Sequence, residues 1–120
     1  MTLQERIEFT ETRVCKTVFP SNTNHHETLF GGLALSMMDE TAFIAATRFS
    51  RQSFVTVSSD RIDFKKAIPA GSIIELVANV VSVGRTSLKV QVDIYVEQML
   101  EEGREKAVTG TFTLVAIDEN

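Results

Sequence analysis

One uninterrupted run constrains this sequence more than any other feature. From Gly32 to Arg48 it reads GLALSMMDETAFIAATR, dense in Ala, Leu and Met and free of proline. Such residues over such a length favour a helix over a strand. At about 100° per residue, Ser36, Glu40 and Thr47 share one narrow polar stripe, and most of the remaining circumference is apolar or small. A helix this apolar has to be wrapped by other structure. In a chain of 120 residues, everything outside the run must supply that wrapping.

The remaining sequence reads as β-structure. Leu88, Val90, Val92, Ile94 and Val96 alternate with Lys89, Gln91, Asp93, Tyr95 and Glu97, giving one dry and one wet face. Ile74, Leu76, Ala78 and Val80 repeat the pattern, and Gly84 to Ser87 form the hairpin between the two strands. A last strand is expected from Lys106 to Ile117, after the Glu101-Glu102-Gly103 turn. Between Val55 and Phe64 the apolar positions switch parity, which predicts a β-bulge near Ser58–Asp60. The stretch Ile7 to Val18 is rich in β-branched and aromatic residues and predicts a first strand. Ser21 to Thr28 is polar and predicts an irregular loop. The resulting order is strand, long helix, four strands. It implies a single α+β domain over residues 1–120, with an antiparallel sheet of about five strands curled round one central helix.

Composition narrows the function classes. Twelve Lys and Arg against sixteen Asp and Glu leave a net charge of −4, without the basic face that nucleic acid requires. A single cysteine excludes a disulfide framework and a cysteine-based zinc site. No apolar run approaches the roughly 20 residues of a membrane helix. The opening MTLQERIEF lacks the layout of a signal peptide. No nucleic-acid or membrane partner is expected, and the expected location is cytoplasmic.

Asp39 is the first candidate for chemistry. On the helical wheel it lies among Ala46, Leu35, Ala42, Gly32 and Phe43, whereas Glu40 joins the polar stripe. An acid on a mostly buried helix is costly unless paired or useful; the wheel equally allows it to meet solvent at the stripe's edge. Gly31-Gly32 at the helix start would let a ligand approach unpaired backbone amides, or would be an ordinary loop-to-helix turn. Asn24 in the polar loop must run close to that helix start, and its amide offers both donor and acceptor; a plain turn residue is the alternative. His25 and His26 lack a third ligand for a metal site. Cys15 reads as a packed core thiol rather than a nucleophile. Ser58 and Ser59 lack the serine-hydrolase elbow, and no phosphate-cradling glycine motif is present. Arg61, Lys65, Lys66 and Arg85 could meet ligand phosphates or simply be solvated.

Together, Thr23-Asn24, Leu29-Phe30-Gly31-Gly32 and Met38-Asp39-Glu40, followed by Thr56-Val57-Ser58, Ile62-Asp63-Phe64, Gly71 and Gly84-Arg85-Thr86-Ser87, resemble the hot-dog-fold acyl-CoA thioesterases. The likeness is to the bacterial acyl-CoA thioester hydrolases and the brain-type cytosolic ones. It implies a long helix wrapped by an antiparallel sheet and hydrolysis of acyl-CoA to a free fatty acid and coenzyme A. It also implies a site between two protomers, so a homodimer is the minimal unit, with a trimer of dimers as its further assembly. By position, Asn24 and Asp39 would be catalytic, with Asp39 as general base or nucleophile and Asn24 orienting the water or carbonyl. The amides near Gly31 and Gly32 would form the oxyanion hole. Lys66 and the Gly84-Arg85-Thr86-Ser87 hairpin would hold coenzyme A, which is part of the substrate; no metal or separate cofactor is implied. Glu27 stands where the family usually has glycine, and Ala67 where it tends to have proline. Two rivals share the fold: an acyl-thioester hydratase or dehydratase, and a non-catalytic acyl-CoA-binding protein. The first places a histidine with the acid, and this helix has none; the second loses the acid, which is present here.

Overall fold

The alternation of apolar residues is what builds the sheet. A computed structural model describes residues 1–117, so the last three residues of the expected domain lie outside the described residues. Its elements are α1 (Leu3–Phe9), β1 (Thr12–Thr17), α2 (Gly31–Ser50), β2 (Phe54–Phe64), β3 (Ser72–Val83), β4 (Ser87–Gln98) and β5 (Glu105–Ala116). The five strands form one antiparallel sheet in the order β1-β3-β4-β5-β2. Ile74, Leu76, Ala78 and Val80 on β3, and Leu88, Val90, Val92, Ile94 and Val96 on β4, are all buried. They face α2, whose Ala34, Met38, Ala42, Ala45 and Ala46 pack into the same core. This is the α+β hot-dog arrangement that the resemblance implies.

The predicted helix is present and runs slightly longer than Gly32–Arg48. Arg51 ends it in a left-handed conformation (φ 55°), its N–H bonded to the Thr47 carbonyl. The sheet covers only one side of the helix: Phe43 remains 44% exposed and Ser36 and Glu40 face outward. The parity switch in β2 is real. Its register against β5 slips between Thr56 and Ser58 and again between Asp60 and Asp63, bracketing the predicted bulge, and Arg61 takes a positive φ of 52°.

Gly110 on β5 marks a close approach between layers. A β-carbon there would collide with Ile62 Cδ1 and lie 3.2 Å from Met38 Cε. Met38 is completely buried, so the long helix and the bulged strand meet at the one sheet position that carries no side chain.

The N-terminal strand is corrected. Strand structure begins only at Thr12, and Leu3–Phe9 is a helix. Thr2 and Glu5 explain it: the Thr2 hydroxyl accepts from the Glu5 N–H, and the Glu5 carboxylate accepts from the Thr2 N–H. This reciprocal cap satisfies two otherwise orphaned donors and outweighs the β-branched Ile7. Hydrogen bonds to the Glu5 carboxylate also hold its pKa below the ordinary value. Tertiary contacts then lock the helix. Arg6 donates to the carbonyls of Phe49 (3.0 Å) and Arg48 (2.7 Å), at the end of α2. Arg48 reaches back to the Glu11 carbonyl and the Thr12 hydroxyl.

The polar loop is also more ordered than its composition predicts. Pro20–Asn22 form a 3₁₀ turn. Thr23 bridges to Leu29, and Thr28 bridges to Pro69. No helix among the described residues is long and apolar enough to cross a membrane.

Candidate functional site

Asp39 projects from the third turn of α2 toward β2. It is half-buried, and its Oδ1 accepts a hydrogen bond of 2.6 Å from the Thr56 hydroxyl. The two residues share a recess of about 400 Å³ with Gly32, Leu35, Ser36, Ser59 and Phe112. The acid is therefore fixed in orientation by a neighbouring strand. Glu40 is exposed, as the wheel predicts.

Gly31 and Gly32 are the first two residues of α2. Phe30 is the N-cap and supplies no side-chain cap bond, so the first amides of the helix are left free for other partners. Glycine matters at position 32 because a β-carbon there would press to 3.0 Å from the Phe30 ring.

Asn24 lies in the loop that leads into that helix start. The Phe30 N–H donates to the Asn22 carbonyl and the Thr23–Leu29 bridge closes a small hairpin, so the loop is stitched to the residues just before Gly31. Asn24 N–H donates to the Thr28 carbonyl, and the Glu27 N–H donates to the Asn24 carbonyl. Closing so tight a turn puts Glu27 at φ 62°. That is the left-handed region glycine enters freely, which accounts for the glycine expected there. Asn24 does not line the Asp39 recess.

The Gly84–Ser87 hairpin lies elsewhere, at the other end of α2. Gly84 N–H donates to the Ser87 carbonyl, and Gly84, Arg85, Thr86 and Ser87 line a cleft of about 190 Å³ with Phe49, Gln52 and Phe54. Gly32 and Phe49 are separated by roughly 25 Å of helix. Lys66 is exposed and ion-paired with Glu105. A further recess, of about 450 Å³, occupies the opposite flank of α2, where Leu33, Met37 and Glu40 face Val18, Phe19 and Leu29; Ser36 borders both recesses.

Two lesser readings are revised. Cys15 is exposed on the outer face of β1 rather than packed in the core, because the strand's inward positions are taken by its even-numbered neighbours. Its Sγ lies 3.7 Å from the Glu75 carboxylate, and desolvation together with that charge raises the thiol's pKa. His25 and His26, which adjacent loop positions would be expected to point apart, instead hold their rings 3.9 Å from one another in the turn. No group of metal-ligating side chains occurs among the described residues. Thr56 was legible only as part of a motif. Its service to Asp39 depends on the pairing of β2 with β5 and on the crossing of α2, which no local signal reveals.

Comparison with known proteins places this geometry. The pattern of the thioesterase superfamily matches residues 26–102. An uncharacterised acyl-CoA thioester hydrolase of Bacillus subtilis is 40% identical, the match covering 95% of this chain and 71% of that protein. The acyl-CoA hydrolase of Staphylococcus aureus, solved with butyryl coenzyme A, coenzyme A and coenzyme A disulfide, superposes with a TM-score of 0.90 at 34% identity, over 94% of this chain and 69% of that one. Solved variants of that enzyme replace an asparagine, an aspartate and a threonine by alanine, at the mutual spacing of Asn24, Asp39 and Thr56 here. A hexameric acyl-CoA thioesterase has a TM-score of 0.90 at 35% identity, over 94% of this chain and 72% of its own. With this fold, this match and these relatives, the chain belongs to the thioesterase superfamily.

Proposed function

We propose that this chain hydrolyses acyl-CoA thioesters to a free acid and coenzyme A. The observation that carries the reading is the Thr56–Asp39 hydrogen bond inside a half-sheltered recess beside α2. Asp39 takes a proton from water, the water oxygen bonds to the thioester carbon, and the C–S bond breaks; the departing thiolate then takes up that proton. Attack by the carboxylate itself, giving an anhydride that water then opens, uses the same placement. The amides of Gly31 and Gly32 meet the carbonyl oxygen and bind it more tightly as charge develops. The step uses no metal and no cofactor beyond the substrate's own coenzyme A.

Within one chain Gly32 borders the Asp39 recess, but Asn24 lies outside it. Gly32 and Asp39 stand about two turns apart, roughly 10 Å along the axis. A reacting carbonyl needs contacts of about 3 Å to both the acid's water and the oxyanion donors. Asn24 belongs to the hairpin leading into the helix start and lies outside the Asp39 recess, so the reading groups it with the donors. The reading therefore sets Asn24, Gly31 and Gly32 of one protomer against Asp39 and Thr56 of its partner. The edge strand β2 is where that partner fits: it borders the Asp39 recess, its outer side has no strand beside it among the described residues, and Val57 is 56% exposed. Open edges invite pairing, and a two-fold axis closes it. The hexameric relative supports further assembly into a trimer of dimers. Arg85 with its hairpin, and Lys66 once released from Glu105, are the groups proposed for the coenzyme A moiety. A cytoplasmic location goes with this reading.

The test is release of free thiol from a panel of acyl-CoAs, alongside Asp39→Asn and Asp39→Ala. Turnover by the native chain and a loss of at least about 100-fold in the variants, with unchanged assembly, support the reading. Near-normal turnover in either variant, or a monomer that hydrolyses at full rate, overturns it. An enoyl thioester formed from a 3-hydroxyacyl-CoA in the panel, without thiol, makes the enzyme a dehydratase.

A further inference from the structure

We propose that Thr28 is the positioning residue for Asn24, and that it fixes Asn24 to act in the reaction as a hydrogen-bond donor only. This inference rests on the hydrolase reading above and deepens it.

Asn24 Oδ1 is already engaged inside its own loop. It accepts from the His26 N–H at 2.8 Å, from the Thr28 N–H at 3.3 Å and from the Thr28 hydroxyl at 3.2 Å. Two of those partners are backbone N–H groups, which can only donate. Turning the amide over would set its NH₂ against them, so the orientation follows from the contacts. The carbonyl end is saturated, and a carbonyl oxygen has only two lone pairs to share. What Asn24 has left is its NH₂. Among the described residues no acceptor is hydrogen-bonded to it.

This decides between two roles open to an asparagine. Orienting a nucleophilic water as its acceptor requires the oxygen, which is spent. Donating to the thioester carbonyl oxygen requires the nitrogen, which is free. Asn24 also belongs to the hairpin that leads, through the Asn22–Phe30 and Thr23–Leu29 contacts, into the start of α2, where the Gly31 and Gly32 amides are donors as well. On this reading Asn24 joins the helix amides as a donor to a developing oxyanion, and donors lower a barrier most when they are fixed beforehand.

Thr28 holds that arrangement. It supplies two of the three bonds to Oδ1, and its own backbone is pinned by the bridge to Pro69. The next residue, Leu29, donates to the Ile68 carbonyl at 2.7 Å, and Ala70 N–H donates to the Glu27 carbonyl. The orientation of Asn24 is thus referred to the segment 68–70 through Thr28.

The experiment compares Thr28→Val, Thr28→Ser, Asn24→Ala and Asn24→Asp in the assembled enzyme by steady-state thiol release. Thr28→Val keeps the β-branched shape and deletes the hydroxyl. Its kcat is expected to fall about tenfold with KM within about twofold. Thr28→Ser, which keeps the hydroxyl, is expected to restore kcat to within about twofold of native. Asn24→Asp offers an acceptor where the donor stood and is expected to be as inactive as Asn24→Ala. A native kcat for Thr28→Val, a Thr28→Ser as impaired as Thr28→Val, or an active Asn24→Asp overturns the inference. These failures are distinct from failure of the hydrolase reading, in which the native chain itself releases no thiol.

Discussion

The Thr56 hydroxyl donates to Asp39 Oδ1 over 2.6 Å, tying the edge strand to the third turn of the long helix. The bond joins residues from elements that are not neighbours in sequence, and it holds the acid in one of its rotamers. The bond is solvent-accessible and adds little to folding, but misplacing a catalytic group by about 1 Å costs on the order of 100-fold in rate. Thr56→Val is therefore expected to lower kcat by roughly 10- to 100-fold while leaving the thermal midpoint nearly unchanged. Thr56→Ser should recover most of the loss. Steady-state thiol release and a thermal melt on the same samples check both; a melt that falls in step with kcat would reassign the bond to folding.

Glu27 occupies a left-handed conformation at φ 62° in the turn after Asn24. That conformation costs an L-residue roughly 1–2 kcal/mol, partly offset on replacement by the greater freedom of glycine when unfolded, about 0.4–1 kcal/mol. Glu27→Gly is expected to stabilise by up to about 1 kcal/mol on those figures, and Glu27→Val to destabilise, since a β-branched residue is least tolerant there. The urea midpoint of each variant is the measurement. A fall for both variants would show that the turn relies on the glutamate.

Gly110 leaves room for Ile62 and Met38 to meet the sheet. Gly110→Ala is expected to destabilise by about 1–3 kcal/mol, the usual cost of overpacking. In the double variant Gly110→Ala, Ile62→Val, the shortened side chain should recover part of this. Denaturant unfolding of the four forms of the cycle gives the coupling directly.

Arg6 links the first helix to the last carbonyls of α2 through two charge-assisted bonds, where the negative end of the helix dipole also favours a cation. Arg6→Ala is expected to cost about 2 kcal/mol and to speed hydrogen exchange in residues 3–9 and at the end of α2. The centre of the sheet should keep its protection. Uniform loss of protection would mean that the N-terminal segment is integral to the core rather than clamped onto it.

The sequence by itself determined the elements whose signal is local. Strict alternation from Leu88 to Val96 and from Ile74 to Val80 placed both strands and their buried faces, because side chains on a strand alternate sides whatever surrounds it. The Ala- and Leu-rich run placed α2, and the parity switch placed the irregularity in β2. The cap of α1 was also written locally, in Thr2 and Glu5 at capping-box spacing, but the apolar stretch beginning at Ile7 masked it. Tertiary structure alone decided the rest. Whether Asp39 met solvent or a partner depended on β2 crossing α2. What anchors the locally clamped Asn24 amide to the rest of the fold is the Thr28–Pro69 bridge. That β2 rather than another strand lies at the open edge beside the acid depended on the order of pairing. Each of these is a contact between residues far apart in the chain, and periodicity carries no information about which distant surface an exposed face will find.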